Sequence, residues 1–133
     1  MTTRIHRVIL AVLVVTGAVV GVWATGWPQG FYDAFPGFDR HWVSMDGPYN
    51  QHLVRDVGAA YLALAVLGSY ALRLAMPELV RVAGAAWLVF GGLHFAYHLG
   101  HLGMFGTSDK ILNVVALGGS VVLAAALLVP ARD

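Results

Sequence analysis

The stretch "VRDVGAAYLALAVLGSYALRLAMPELVRVAGAAWLVFGGLHFAYHLGH" (54–101) predicts two membrane-spanning helices joined by a short turn. Its two apolar segments, 54–74 and 79–101, each have about the ~20 residues that a helix needs to cross a bilayer. Pro77 separates them, because proline lacks the backbone N–H that would continue a preceding helix. The stretch therefore predicts a pair of antiparallel helices at the centre of the fold.

Two further apolar segments, 8–24 and 111–129, flank this central pair. The chain is 59% hydrophobic and 11% charged, with a mean hydropathy of +0.72, whereas soluble domains carry about 25% charged residues. The sequence predicts an all-α, four-helix transmembrane bundle that forms one domain over residues 1–133. We expect a multi-pass protein of the plasma membrane, with the lipid bilayer as its surroundings.

The first apolar segment resembles a signal peptide in one respect, because Arg4 and Arg7 precede it. It is longer than the ~7–15 residues of a signal core. Gly17 and Gly21 also lie four residues apart, a spacing that suits close packing between helices. We expect this segment to be a retained helix of the bundle.

The charged residues predict an orientation. In the four-span arrangement one side of the membrane carries more basic residues than the other (Arg4, Arg7, Arg73, Arg81 and Arg132 against Arg40, Arg55 and Lys110). The positive-inside rule then places both termini in the cytoplasm. The aromatic-rich segment 27–51, between helices 1 and 2, is predicted to lie outside. It is expected to be a loop or a short amphipathic helix at the lipid headgroups, where it could cover an outer cavity.

Several classes of function are excluded by composition. The net charge of +1 and the lack of a basic run argue against nucleic acid as a partner. Cysteine is absent, so histidine, aspartate and glutamate are the remaining strong metal ligands. The sequence has no nucleophile–base pair, phosphate-binding loop or dinucleotide motif, and it does not decide whether the protein is an enzyme.

The stretch "GLHFAYHLGHLG" (92–103) places three histidines at positions i, i+4 and i+7 of the third helix. At about 100° per residue they lie within a ~60° arc. His52 and Asp56 share a face of the second helix, at a depth that matches His98 and His101 when ~1.5 Å per residue is counted from the turn. Helices joined by a short turn are expected to be neighbours. The sequence therefore predicts one outer cluster of His52, Asp56, His94, His98 and His101.

The leading hypothesis is that these five residues bind a transition metal ion, either Zn, Cu or Fe. Imidazole suits these metals, a carboxylate can complete the shell, and three or four protein ligands are enough for a four-coordinate site. Such a site could serve metal handling, or a metal-dependent redox or hydrolytic reaction.

Two alternatives stay open. In one, the polar residues are a solvated cap, and the protein is a structural or interaction subunit of a larger membrane complex or a homo-oligomer, with no metal. In the other, haem b is held between His52 and one histidine of the third helix, with Trp87, Phe90 and Tyr97 around the macrocycle. Axial ligation by histidine is ordinary haem chemistry.

The stretches "FPGFDRHWVSMDGPYNQHLVRDVGAAYLAL" (35–64) and "HFAYHLGHL" (94–102) resemble a family of short four-helix membrane proteins from actinobacteria. The resemblance extends over most of the chain from the end of the first helix. It depends on Trp42-Val43, Gly47-Pro48-Tyr49-Asn50, the run from His52 to Asp56, and the three later histidines. It implies a four-helix membrane fold, and it supplies no activity and no catalytic residues.

Overall fold

The computed structural model describes residues 3–131, which form five α-helices and one pair of very short strands. The helices are α1 (Thr3–Gly26), α2 (Pro28–Ala34), α3 (Gln51–Leu74), α4 (Pro77–Gly100) and α5 (Thr107–Ala126). The strands β1 (Pro36–Gly37) and β2 (Arg40–His41) pair antiparallel, and a 3-10 turn covers Leu102–Met104. Four helices, α1, α3, α4 and α5, are long and apolar enough to cross a membrane, which confirms the prediction of an all-helical chain with four such segments.

The helix boundaries follow local chemistry. The Asn50 side chain caps α3 by accepting a hydrogen bond from the Leu53 backbone N–H at 3.2 Å. Ala75 ends the same helix in the left-handed conformation (φ 53°), and Pro77 stands in the first turn of α4, where its missing N–H does no harm. The turn between the central helices is therefore as short as the sequence predicted. Arg132, which the sequence assigned to the cytoplasmic side, lies outside the described residues.

The four long helices form two pairs. α1 packs most extensively against α3, and α4 against α5, whereas contacts between the two pairs are fewer. We name the two ends of the bundle by what they carry. The terminal end contains the start of α1 and the end of α5, and the loop end contains segment 27–50.

The apolar core joins the two pairs mainly toward the terminal end. Its larger cluster draws residues from all four long helices: Ile9, Leu10, Leu13, Ala71, Val80, Ala83, Trp87, Ala124 and Leu127. A smaller cluster at the loop end contains Ala24, Phe31 and Val54, which belong to α1, α2 and α3. The loop end of the bundle is therefore less filled between the pairs.

Small residues let α1 and α3 approach closely. Gly17 and Gly21 are buried, and a Cβ built on Gly21 would lie 2.9 Å from the Gly58 carbonyl oxygen. A Cβ on Gly58 would meet the Ala24 Cβ at 2.9 Å and the Thr25 backbone nitrogen at 3.0 Å. The glycine spacing in the first helix thus marks a real interface, as predicted, and small residues of this kind are typical of close helix packing in membrane proteins.

We expect Gly58→Ala to destabilise the bundle, because the new methyl group meets backbone and Cβ atoms that cannot move aside without separating α1 from α3. Overpacking of this kind costs about 1–3 kcal/mol. The measurement is thermal unfolding in a mild detergent. Gly119→Ala is the control, since nothing lies within 4 Å of that site, and it should leave stability unchanged or slightly higher. Equal effects at both sites would contradict the close approach.

Candidate functional site

A cavity of about 600 Å³ lies between the two helix pairs at the loop end. Its walls come from all four long helices and are mostly apolar and aromatic. They include Val20 from α1, Val57 and Tyr61 from α3, Trp87, His94 and His98 from α4, and Asn113, Leu117 and Ser120 from α5. Cavities of this size, lined by apolar groups with a few polar atoms, are typical of small-molecule sites.

Segment 27–50, which we call the roof, covers this cavity. Phe31, Tyr32, Phe35, Trp42 and Tyr49 of the roof all line it. The rings form a chain of contacts, with centroids 4.6 Å apart for Phe31 and Phe35 and 6.2 Å apart for Phe35 and Trp42. Edge-to-face and tilted pairs of this kind stabilise beyond the area they bury. The aromatic side chains of the roof are therefore packed against one another.

Hydrogen bonds fasten the roof to the α4–α5 pair. One carboxylate oxygen of Asp109, in the first turn of α5, accepts from the Trp42 indole N–H at 2.8 Å. The same oxygen pairs with the Arg40 guanidinium. The Tyr97 hydroxyl of α4 donates to Asp46 of the roof at 3.1 Å. Because the roof is covalently continuous with α1 and α3, these bonds connect the two pairs across the cavity.

Asp109→Asn should loosen the roof, because the neutral amide keeps an acceptor but loses the charge that strengthens both hydrogen bonds. We expect trypsin to cleave after Arg40 several times faster in the variant than in the wild type. Asp33→Asn is the matched control, since the Asp33 carboxylate accepts from Gln29 within the roof (3.1 Å) and is not part of the contact with α5. A cleavage rate that is unchanged in Asp109→Asn would show that the carboxylate does not hold the roof.

Four polar atoms at the cavity have no hydrogen-bond partner among the described residues: Trp87 Nε1, His98 Nδ1, and both Nδ2 and Oδ1 of Asn113. Asn113 is 1% exposed and Trp87 is 2% exposed. Most buried polar groups in proteins are hydrogen-bonded, and an unpaired one costs about 1–3 kcal/mol. All three side chains that carry these atoms line the cavity, so a group bound there would lie next to them.

Two of the five predicted metal ligands lie at this cavity. The rings of His94 and His98 are adjacent, with centroids 4.7 Å apart, and both line the wall. The His94 ring also stacks on Phe90 at 5.7 Å, nearly parallel. His94 and His98 are thus half-buried aromatic members of the wall.

The other three predicted ligands lie elsewhere. His52 Nε2 lies 3.3 Å from an Asp56 carboxylate oxygen on the surface, where the two side chains are 83% and 59% exposed. His101 is exposed, stacks on Tyr97 with ring centroids 4.0 Å apart, and its Nδ1 lies 2.7 Å from the Tyr97 carbonyl oxygen. Among residues 3–131, no three His, Cys, Asp or Glu side chains come together in a way that could hold a metal ion. The prediction of a metal-binding protein is therefore wrong.

The error has a physical cause. The short turn correctly places α3 beside α4, but it does not decide which face of each helix is inward. α3 turns Val54 and Gly58 inward, toward α1 and α2. His52 precedes Val54 by two residues, or about 200° around the helix, so its side chain points away from the bundle. The hypothesis of haem b loses the same residue, since His52 does not line the cavity.

The sequence suggested Asn113 only as a hydrogen-bond donor to a histidine or as a link between helices, and it suggested Trp87 only beside a haem. An asparagine within an apolar helix is a usable signal, because polar residues in membrane segments usually face the bundle interior or a cavity. The pairing of Asp109 with Arg40 and Trp42 left no signal, since its partners are far apart along the chain.

Comparisons with models of known protein families, with curated proteins and with solved structures found no match to this chain. The resemblance to the actinobacterial four-helix family stays a prediction.

Proposed function

We propose that the chain is a multi-pass protein of the plasma membrane that binds a neutral, lipophilic small molecule in the cavity beneath the roof. Four helices of sufficient length and apolarity support the membrane location. Arg4, Arg7, Arg73 and Arg81 belong to helix segments at the terminal end, which supports a cytoplasmic location for that end. The roof and the cavity then lie toward the outside.

The observation that carries the binding function is the set of unpaired polar atoms in an otherwise apolar cavity. The cavity of about 600 Å³, which is partly open, has Asn113, Trp87 and His98 in its walls, and their unpaired polar atoms lower stability as long as nothing pairs with them. A ligand that pairs with these atoms removes this cost.

The wall chemistry specifies the ligand class. The Trp87 indole can only donate, so the ligand needs an acceptor there, and the Asn113 amide can both donate and accept. None of the described residues that line the cavity is Lys or Arg, so a ligand with a charged phosphate or carboxylate would lack a counter-ion. Asp46, the acidic residue among them, already accepts a hydrogen bond from the Tyr97 hydroxyl. We infer a neutral molecule with a carbonyl- or hydroxyl-bearing planar head and an apolar body, as in an isoprenoid quinone.

The proposal is tested by identifying what the protein retains. The full chain is purified from membranes in a mild detergent, extracted with organic solvent, and analysed by mass spectrometry. We expect one neutral lipophilic species, enriched to nearly one per chain. A short-chain quinone added to the stripped protein should quench the tryptophan fluorescence saturably, since Trp42 and Trp87 both line the cavity, and a fatty acid should not.

A matched pair of variants shows whether the lipophilic molecule binds in the cavity. Leu117→Trp adds bulk to a side chain that lines the cavity, and it should abolish retention and saturable quenching. Leu112→Trp makes the same change at an exposed site on the same helix and should alter neither. Equal retention in both variants, or a purified protein that carries nothing enriched and binds no quinone, would refute the proposal. A Soret band in the purified protein would replace it with the haem b hypothesis.

A further inference from the structure

A second, smaller pocket lies at the terminal end of the bundle, at the opposite end from the cavity beneath the roof. Its volume is about 60 Å³. Because one water needs about 10–15 Å³ on this measure, the pocket has room for roughly four to six waters. It lies between the start of α1, the turn from α3 to α4, and the end of α5. His6, Arg7, Ala75, Arg81 and Pro130 are among its lining residues.

His6 is the unusual member of this pocket. The residue is 7% exposed, and its Nε2 atom is buried with no hydrogen-bond partner among the described residues. A buried imidazole nitrogen without a partner is costly, and leucine would fill the same position without that cost. His6 lines the pocket, so its imidazole is a neighbour of any group bound there.

The charge around His6 has one sign. Arg7 and Arg81 line the pocket, and none of its described lining residues is acidic. Glu78, in the first turn of α4, does not line it. Two guanidinium groups and one imidazole N–H supply several donors and positive charge, and this combination suits the oxygens of a phosphate group.

We propose that this pocket binds a phosphate group, supplied by the headgroup of an anionic phospholipid or by free phosphate. The pocket has room for one group of about this size, with its oxygens between Arg7, Arg81 and His6 Nε2. Basic pockets between membrane helices on the cytoplasmic side are recognised binding sites for anionic lipid headgroups. The lipid source rests on the proposed membrane location, whereas binding of free phosphate does not.

The test measures thermal unfolding of the full chain in a neutral detergent with four additions. These are dioleoylphosphatidylglycerol, dioleoylphosphatidylcholine, potassium phosphate, and potassium chloride at matched ionic strength. A ligand that binds the folded state raises the unfolding temperature. A lipid site predicts a rise with phosphatidylglycerol that the other three additions do not produce. A phosphate site predicts a rise with potassium phosphate over potassium chloride. The proposal is overturned if neither phosphatidylglycerol nor potassium phosphate raises the unfolding temperature, or if the two lipids raise it equally.

Variants locate the binding. Arg81→Gln should weaken the stabilising ligand about tenfold, the loss of one charge-assisted hydrogen bond. His6→Leu should also weaken it, while the ligand-free protein stays folded and at least as stable, because the unpaired nitrogen is gone. Arg4→Gln is the matched control, since Arg4 lies in the same turn of α1 but does not line the pocket. An equal loss in Arg4→Gln would mean that general surface charge is responsible and would overturn the site.

The two proposed sites can fail independently. Leu117→Trp blocks the cavity beneath the roof and should leave the shift from phosphatidylglycerol or phosphate intact. Arg81→Gln should leave the lipophilic molecule in place at the loop end. Loss of both ligands in either variant would indicate general unfolding, which the unfolding temperature without additions reports directly. If that temperature is unchanged while both ligands are lost, the assignment to two separate sites is wrong.

Discussion

Asn113→Leu is expected to make the ligand-free protein more stable and to remove its ligand. The Asn113 side chain is 1% exposed and has both of its polar atoms unpaired; leucine has the same branched skeleton without those polar atoms, and the adjoining cavity has room for its larger methyl groups. Removing unpaired buried groups should raise the free energy of unfolding by about 1–3 kcal/mol. The same change deletes the amide that would hold the polar head of the ligand, so affinity should fall at least about tenfold.

The opposite signs of these two effects make the experiment decisive. Thermal unfolding of stripped protein measures the first, and retention of the extracted molecule measures the second. Ser120→Ala is the control, because the Ser120 hydroxyl also lies at the cavity but already donates to the Leu117 carbonyl oxygen at 2.7 Å. If Asn113→Leu lowers the unfolding temperature of stripped protein, the amide is already satisfied and the argument from unpaired atoms fails.

Trp87→Ala is expected to have the largest effect on stability of any single change. Trp87 is 2% exposed and belongs to the cluster that joins all four long helices. Its ring packs against α1, with Cζ2 3.1 Å from a Cβ built on Gly17, and against Tyr61, at a centroid distance of 6.0 Å. Truncation of a buried tryptophan costs about 3–5 kcal/mol. Here it also opens the floor of the cavity into the core.

Two further tryptophan variants separate packing from hydrogen bonding. Trp87→Phe keeps most of the buried ring but loses the indole N–H, so it should retain much of the stability and still weaken ligand binding. Trp27→Ala makes the same truncation at a residue that is 66% exposed, and it should change the unfolding temperature little. If Trp87→Ala and Trp27→Ala have the same unfolding temperature, Trp87 has no special structural role.

The long helices were predictable because the signal that defines them is local. Apolar length sets a membrane helix, and Pro77 marks the turn between α3 and α4 within the sequence itself. The predicted span 8–24 is shorter than α1 at both ends, since α1 covers Thr3–Gly26. The predicted span 111–129 begins and ends later than α5, which covers Thr107–Ala126. Hydropathy reports the apolar centre of a helix and does not report where its backbone hydrogen bonding begins and ends.

The site was not predictable from the same kind of signal, because it depends on which helix faces meet. His52 and His98 lie on adjacent helices, yet the histidine on α3 is turned outward while the one on α4 lines the cavity. The glycines at 58 and 68 decided this rotation, because they place one particular face of α3 against α1. In α3, small residues are therefore better indicators of the inward face than polar ones.

The position of the core has a consequence for motion. Leu10, Leu13 and Leu127 are almost completely buried at the terminal end. Separating the helix pairs there would therefore expose a large apolar area and form no new contacts in return. At the loop end the pairs are connected by a few hydrogen bonds and the contact of Trp42 with Phe105. In the membrane location proposed above, the deformation that breaks the fewest of these contacts is a rotation of the two pairs about the buried leucines, which would widen the gap between the pairs at the loop end and open the cavity toward the lipid.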